Sequence, residues 1–207
     1  MSFLLLLCYI YIVLTSSILG SLSSPLPQKL CPITSGGVLS FDDLPEGPLS
    51  TYNGFHFPGV VDWSIISGTT GSAIPYNLGI TSRPNALLSL FHFETSINSG
   101  NAFTFDLVSF NLTALTASNK KKAAYLKVRV SGFRPGEPAM EKWLRVRNAF
   151  GGQGMPLYVY FGGDGWRGLQ NVAVWAVEEG PVMPPAPGEM TPGFVLDDVV
   201  YNKRLVC

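Results

Sequence analysis

Aromatic and charged side chains alternate with apolar ones along three segments of the chain. They are Tyr125, Lys127 and Arg129 in the first segment, Glu141, Trp143, Arg145 and Arg147 in the second, and Tyr158 and Tyr160 in the third. Alternate residues of a β-strand lie on the same face of a sheet, so we expect these side chains to point outward. If the three strands are neighbours, they form one polar face that carries several rings.

Such a face is typical of sugar binding, because a sugar ring packs its C–H groups on an aromatic plane and accepts hydrogen bonds from nearby charged groups. The predicted ligand-binding residues are Tyr125, Arg129, Trp143, Arg145, Tyr158 and Tyr160. The other interpretation is that these rings are packed inside the domain, since Trp and Tyr are usually mostly buried.

Carboxylates gather near both ends of the chain. Asp42 and Asp43 lie near the start, and Asp197 and Asp198 lie close to the end. Oxygen ligands collected from separate strands are what Ca²⁺ prefers, with roughly six to eight of them around the ion. One structural Ca²⁺ is therefore a possible cofactor, and the alternative is that these side chains cap turns in water.

Signals for catalysis are few. Both histidines, His56 and His92, stand between two phenylalanines, a setting more typical of a packed histidine than of a general base. The serine-hydrolase elbow and the common zinc-binding patterns are absent from the sequence. Carboxylate pairs for glycoside hydrolysis stay open, because their spacing is spatial rather than sequential. We predict no catalytic residue, and whether the protein is an enzyme stays open, with a non-enzyme favoured.

The candidate binding residues lie in short predicted strands that are separated by Gly- and Pro-rich turns. The predicted strands are 38–41, 60–66, 87–93, 102–110, 124–131, 141–146, 157–161, 172–177 and 194–201. Trp175 lies in a run that is apolar on both faces and is predicted to be in the core, and Trp166 follows a glycine-rich turn. About nine strands at this spacing predict an all-β fold, an antiparallel β-sandwich of the jelly-roll type.

Composition narrows the range of partners. Charged residues make up 14% of the chain and the formal net charge is zero. A protein without an overall basic surplus is not typical of binding to nucleic acid or to anionic lipid. We expect a monomer with neither of these partners.

Residues 1–24 have the features of a secretory signal peptide. An apolar run extends from Phe3 to Leu14, and small residues follow it, which predicts cleavage between about residues 20 and 24. The segment before the run has no Lys or Arg, so an uncleaved membrane anchor stays an alternative. After cleavage we expect a lead-in segment over 25–38 and one β-sandwich domain over 39–207, with a Pro-rich loop over 181–192.

In a secreted protein, cysteines can form disulfides and an Asn-X-Thr motif can be glycosylated. Cys8 leaves with the signal, so Cys31 and Cys207 are predicted to form a disulfide that brings the termini together, the alternative being two free thiols. Asn111 begins an Asn-Leu-Thr motif and is the predicted glycosylation site. The expected location is extracellular or in a cell wall.

Five short motifs carry a resemblance that spans nearly the whole mature chain. In order they are LSFDDLP from Leu39, YNGF from Tyr52, FDLVSF from Phe105, VRVSGF from Val128 and VLDDVVY from Val195. The chain resembles fungal secreted proteins of unassigned function, which are similar to galactose-binding-like jelly rolls, including non-catalytic carbohydrate-binding modules. The resemblance implies a structural Ca²⁺ held by Asp42 or Asp43, by a carbonyl of the loop 52–54, and by Asp197 or Asp198.

The function predicted from these observations is non-catalytic binding of carbohydrate or cell-wall glycan by a secreted β-sandwich. A second hypothesis is an extracellular structural or protein-interaction domain without a glycan ligand, which makes contacts through the loop 181–192. A third is a small jelly-roll polysaccharide lyase or hydrolase. The fold alone does not choose among them.

Overall fold

Two antiparallel sheets packed face to face make up the domain in the computed structural model. The structure describes residues 31–59, 63–69, 79–89, 95–115, 125–147, 155–163, 165–178 and 193–206. Within these ranges, no helix has the length and apolar character needed to cross a membrane. The predicted all-β, antiparallel β-sandwich is confirmed.

The first sheet has the strand order β11-β8-β13-β6-β5-β2, and β1 also pairs with β13. Its strands are β1 Ile33–Leu39, β2 Gly47–Pro48, β5 Ser64–Ser67, β6 Asn85–Ser89, β8 Thr104–Leu115, β11 Leu157–Tyr160 and β13 Gly193–Arg204. The second sheet has the order β10-β9-β12-β7-β4-β3. Its strands are β3 Thr51–Tyr52, β4 Phe55–His56, β7 Thr95–Asn98, β9 Tyr125–Phe133, β10 Met140–Arg147 and β12 Asn171–Glu178. We call them the seven-stranded and the six-stranded sheet.

The main core lies between the two sheets. Leu126, Val128 and Val130 of β9 are fully buried, while the residues between them lie on the other face, as the alternation predicts. Phe55 is central to the core because its ring contacts Phe105 of β8 and Tyr201 of β13 edge-on, with centroids 5.1 and 4.9 Å apart. Edge-to-face aromatic contacts of this kind add to the burial of apolar area, so they join the two sheets.

A smaller apolar cluster lies on the outer face of the seven-stranded sheet. Ile66, Ala86, Leu88 and Val195 are buried there, and Ile80 packs against them. The segment that carries Ile80 therefore covers part of this outer face.

The domain begins earlier in the chain than predicted. The predicted lead-in over 25–38 overlaps strand β1, Ile33–Leu39, which pairs with β13. Gly37 explains why a glycine-rich segment can take this place, because a Cβ there would lie 2.7 Å from the Tyr201 hydroxyl. The predicted strand 38–41 ends at Leu39, since Phe41 has a positive φ of 62°.

Most other predicted strands are present with shifted bounds. Strand β8 extends to Leu115 and β13 to Arg204, beyond the predicted 102–110 and 194–201. Strand β7, Thr95–Asn98, was not predicted because its sequence TSIN lacks a run of apolar residues. Residues 60–62 and 90–94, the loop 181–192 and the predicted signal over 1–24 lie outside the described residues.

A buried ion pair ties the end of the chain to its centre. Arg204 on β13 donates to both carboxylate oxygens of Asp106 on β8, at 2.5 and 2.6 Å, and its third nitrogen donates to the Cys31 carbonyl. Both side chains of the pair are less than a tenth exposed. Cys31 is disulfide-bonded, and the Leu205 N–H donates to the Pro32 carbonyl, so the described termini lie side by side. Cys207 itself is outside the described residues, and its pairing with Cys31 stays a prediction.

We expect Arg204→Met to lower the free energy of unfolding by about 3–5 kcal/mol, because it leaves the buried Asp106 carboxylate without its cation. The double variant Asp106→Leu/Arg204→Met removes both charges and is expected to recover part of that loss. Urea unfolding of the wild type and both variants measures this. A double variant less stable than Arg204→Met would contradict the explanation.

Candidate functional site

Two tryptophans flank an arginine on the outer face of the six-stranded sheet. Trp143 of β10, Arg129 of β9 and Trp175 of β12 are paired in register across three neighbouring strands. The Arg129 guanidinium carbon lies 5.9 Å from the centre of the Trp143 ring and 5.0 Å from that of Trp175. Trp143 is 52% exposed, and its ring is therefore open to a ligand. We call these three residues the Trp-Arg-Trp row.

Further cations and a tyrosine lie next to this row. Arg145 is paired with Lys127, and Arg147 is paired with Tyr125. The Arg145 guanidinium carbon lies 4.1 Å from the centre of the Tyr125 ring. The aromatic-cationic face is defined by the row together with these neighbours: Tyr125, Lys127, Arg129, Glu141, Trp143, Arg145, Arg147 and Trp175.

Internal contacts orient the arginine at the centre of the face. Arg129 donates to the Glu141 carboxylate at 3.3 Å and lies against the rings of Trp143 and Trp175. The guanidinium group is planar, and its contacts with the two rings fix the orientation of that plane. Its N–H donors therefore have a geometry suited to the oxygens of a ligand. The row therefore offers two apolar ring surfaces with a fixed hydrogen-bond donor between them.

Tyr158 and Tyr160 do not belong to this face, contrary to the prediction. Their strand β11 pairs with β8 in the seven-stranded sheet, and both side chains lie on that sheet's outer face, 62% and 56% exposed. The chain crosses from one sheet to the other between β10 and β11, which proximity in sequence does not reveal. The two edge strands are neighbours, since Lys142 Nζ on β10 donates to the Tyr160 carbonyl at 3.0 Å.

Trp166 and Trp175 lie in positions that differ from those predicted. Trp175 was predicted to be in the core and is instead half-buried on the aromatic-cationic face. Its neighbour Ala173, on the same outer face, is 3% exposed, so the apolar pattern of β12 comes from a crowded outer face. Trp166, expected in a turn, is 4% exposed and packs against Phe161 with ring centres 4.7 Å apart.

His56 is exposed at the far end of the same sheet, and the expectation of a packed histidine is wrong. It pairs with Thr51 on one side and with Asn98 on the other. The flanking Phe55 and Phe57 are both buried, so His56 between them must face outward. His92 lies outside the described residues.

The four predicted calcium ligands each bind protein donors. Asp42 accepts from the Asn85 N–H at 3.0 Å, and Asp43 accepts from the Tyr52 hydroxyl at 2.6 Å. Burial first, and then the bond to Asp43, raise the pKa of Tyr52 to about 12, so this hydroxyl stays a donor at neutral pH. No group of three or more acidic, histidine or cysteine side chains that could hold a metal occurs among the described residues. Calcium binding by these residues stays a prediction.

Asp197 is a buried carboxylate at a bulge in β13. The register with β8 shifts after Asp197, and the next residue, Asp198, has a positive φ of 50°. Asp197 accepts from the backbone N–H groups of Thr81 and Ser82 at 2.6 and 2.8 Å and from both hydroxyls at 2.9 and 3.0 Å. Burial raises the pKa of Asp197 to about 6, although these hydrogen bonds act in the opposite direction.

Asn111 belongs to the same polar cluster. Its side-chain nitrogen donates to the Thr81 hydroxyl at 2.9 Å and to Asp198 at 3.2 Å. An attached glycan would replace one of the two N–H bonds that make these contacts. Glycosylation of Asn111 stays a prediction, and an attached glycan would remove one of these two hydrogen bonds.

These features define an antiparallel β-sandwich with one outer sheet face rich in exposed rings and cations. No protein-family model matches the chain, and no curated protein is similar to it. Among solved structures, it is similar to the carbohydrate-binding module TmCBM61 in complex with β-1,4-galactotriose, at 8% identity and a TM-score of 0.38, over 76% of this chain and 92% of that one.

Two further solved structures are similar to the chain at a comparable level. A DUF4465 family protein from Bacteroides ovatus matches at 10% identity with a TM-score of 0.49, over 83% of this chain and 90% of that one. The CBM22-1 and GH10 modules of a Clostridium thermocellum xylanase, in complex with xylohexaose, match at 10% identity with a TM-score of 0.38, over 77% of this chain and 28% of that one. Similarity at this level concerns the arrangement of strands and carries no conclusion about a ligand.

The pKa of Asp197 leads to a pH-dependent stability. Since it is raised from 3.8 to about 6, the folded state retains the proton longer than the unfolded chain, and this stabilisation is lost as the pH rises through about 6. Relative to Asp197→Asn, the wild type is expected to lose up to about 3 kcal/mol between pH 4 and pH 7. Urea unfolding of both proteins at each pH measures the difference, and a constant difference would contradict the assignment.

Removal of divalent metal gives a second test of the site. Because the four aspartates bind protein donors and do not gather into a metal-binding group, we expect EDTA to leave the thermal unfolding midpoint unchanged. Differential scanning calorimetry with EDTA and with added CaCl₂ measures this. A midpoint that falls with EDTA and recovers with Ca²⁺, but not with Mg²⁺, would contradict this expectation and confirm the calcium prediction.

Proposed function

We propose that this protein is a secreted, non-catalytic carbohydrate-binding domain that holds a glycan on the aromatic-cationic face. The Trp-Arg-Trp row is the observation that carries the proposal. It supplies ring surfaces for the C–H groups of a sugar and a donor for its oxygens on one exposed face. Secretion and an extracellular or cell-wall location are part of the proposal and rest on the N-terminal sequence.

Trp143 is the main expected anchor. Large apolar rings are usually buried, so a tryptophan that is 52% exposed in the middle of a β-strand is unusual for a surface without a partner. The stem of Arg129 and the ring of Trp175 support the neighbouring surface, and little side-chain freedom remains to be lost when a ligand binds. Rings held in this way provide contact area at low entropic cost.

The absence of catalysis is proposed from the charges on the face. Glycoside hydrolysis uses two carboxyl groups on either side of the bond that is cleaved. Within the described part of the aromatic-cationic face, Glu141 is the acidic residue, and it is paired with Arg129. This composition favours binding over hydrolysis.

A second candidate function, binding to another protein, is favoured by the edge of the seven-stranded sheet. Strand β11 is the last strand on that side, and Leu157, Tyr158 and Tyr160 are exposed on it, with Met155 just before it 82% exposed. Exposed apolar side chains on an edge strand are a common place for protein contacts. The Pro-rich loop of the original hypothesis lies outside the described residues.

We expect Trp143→Ala to weaken glycan binding at least tenfold, because truncation of an exposed aromatic anchor typically costs about 2 kcal/mol or more. Tyr158→Ala is the matched control, since it removes an equally exposed ring from the opposite sheet and is expected to leave binding unchanged. A polysaccharide pull-down followed by calorimetric titration measures both, with circular dichroism to confirm folding.

The two variants also separate the two candidate functions. Loss of binding in Tyr158→Ala alone would place the glycan on the seven-stranded sheet and contradict the proposed face. If the folded wild type binds no polysaccharide at all, the carbohydrate proposal fails and the exposed residues of β11 become the first surface to test for a protein partner.

A further inference from the structure

The charges of the chain are unevenly distributed, and the aromatic-cationic face holds a positive surplus. The whole chain has 14 basic and 14 acidic residues. On this face, Lys127, Arg129, Arg145 and Arg147 are accompanied by Glu141. A surface with a local positive surplus attracts anions even when the net charge of the protein is zero.

Two of these cations occupy positions that oppose each other. Arg145 lies directly opposite Lys127 on the neighbouring strand, and both side chains are exposed. Like charges at directly opposite positions of an antiparallel pair destabilise a sheet. Arg147, two residues further along β10, is exposed on the same face and adds a third positive charge. Such conflicts with local rules are typical of functional sites.

The described contacts leave part of this charge uncompensated. Arg129 is paired with Glu141, whereas Lys127 and Arg147 have no ion-pair partner among the residues that the structure describes. An anionic group placed between Lys127 and Arg147 would reduce the repulsion and form charge-assisted hydrogen bonds with both. The arrangement therefore favours a ligand that carries negative charge.

Rings and cations are interleaved on this face. Arg145 is stacked on Tyr125 beside the charge cluster, and the Trp-Arg-Trp row is the next row of residues on the same strands. A ring surface beside a cation suits a sugar unit that carries its own acidic group, because the pyranose can pack on the aromatic plane while the anion binds the guanidinium. A polyanion without sugar rings would use the charges and leave Trp143 without a contact.

We propose that the ligand is an acidic polysaccharide, with carboxylate or sulfate groups that bind Lys127 and Arg147 while its sugar rings pack on Trp143. This inference rests on the proposed function and defines the class of glycan. Carboxylates and sulfates share the chemistry that a guanidinium recognises, and separate polymers distinguish them in the test.

The experiment compares polymers that differ in charge alone. Titration calorimetry of the wild type uses polygalacturonate against its methyl ester, and dextran sulfate against dextran, at low and high salt. We expect the charged member of at least one pair to bind at least tenfold more tightly, and the advantage to shrink at 0.5 M NaCl, where the Debye length is only a few ångströms.

Two charge variants locate the effect. Lys127→Gln is expected to weaken binding to the charged polymer on the order of tenfold and to weaken binding to the uncharged one much less. Arg167→Gln is the matched control, because it removes the same charge from an exposed position in the turn near Arg134, beyond the opposite end of β9. An equal loss in both variants would show a general charge effect and overturn the inference.

The remaining outcomes separate this inference from the proposed function. Equal binding to the charged and uncharged polymers, still lost in Trp143→Ala, would overturn the acidic ligand and leave carbohydrate binding intact. Equally tight binding to polyphosphate, unaffected by Trp143→Ala, would overturn both in favour of a general polyanion site. A folded wild type that binds no polysaccharide would also overturn both.

Discussion

The pairing of the last strand is the constraint on which the rest of the structure depends. Strand β13 pairs with β8 on one side, and on the other side with β6 in its first part and with β1 in its second part. Near its end, Arg204 binds Asp106 and the Cys31 carbonyl, so residues near the two described ends of the chain share one hydrogen-bond network. A buried pair of this kind contributes little net stability compared with apolar residues, but it penalises any register in which one partner lacks the other. It therefore acts mainly to select one alignment of three strands.

The bulge in β13 allows this strand to pair with β6 in its first part and with β1 in its second part. A shift in register at Asp197 and Asp198 interrupts the alternation, so that Leu196 and Val199 both face the core although they are three residues apart. The residues displaced to the outer side meet Thr81 and Ser82, which supply donors to the buried carboxylate. The acidic pair near the end of the chain is thus explained by the backbone geometry of the strand. A resemblance of motifs suggests a metal at this place, and calcium binding there stays a prediction.

Alternation in the sequence was sufficient to predict β9 and β10 and the direction in which their side chains face, because a period of two follows directly from backbone geometry. It was not sufficient to predict the sheet to which each strand belongs. Tyr158 and Tyr160 have the same pattern as Trp143, yet β11 pairs with β8 across the sandwich. The sequence also contained no sign that Trp175 faces outward, since its neighbour Ala173 on the same face of β12 is small and buried. Strand pairing depends on contacts between residues that are distant in sequence, and a single sequence contains no direct signal for these contacts.

The two outer faces of the sandwich differ in a way that bears on function. The seven-stranded sheet has an apolar outer cluster packed against Ile80 and a polar cluster around Asp197 whose donors and acceptors bind one another. The aromatic-cationic face of the six-stranded sheet instead keeps Trp143 exposed and places Arg145 opposite Lys127. Exposed rings and opposed like charges both cost stability in the isolated domain, and neither is needed to hold β9 against β10, whose inner residues Leu126, Val128 and Val146 are fully buried. A ligand that covers the ring and carries negative charge would offset both costs at once, and this supports the proposal that the six-stranded sheet carries the binding face.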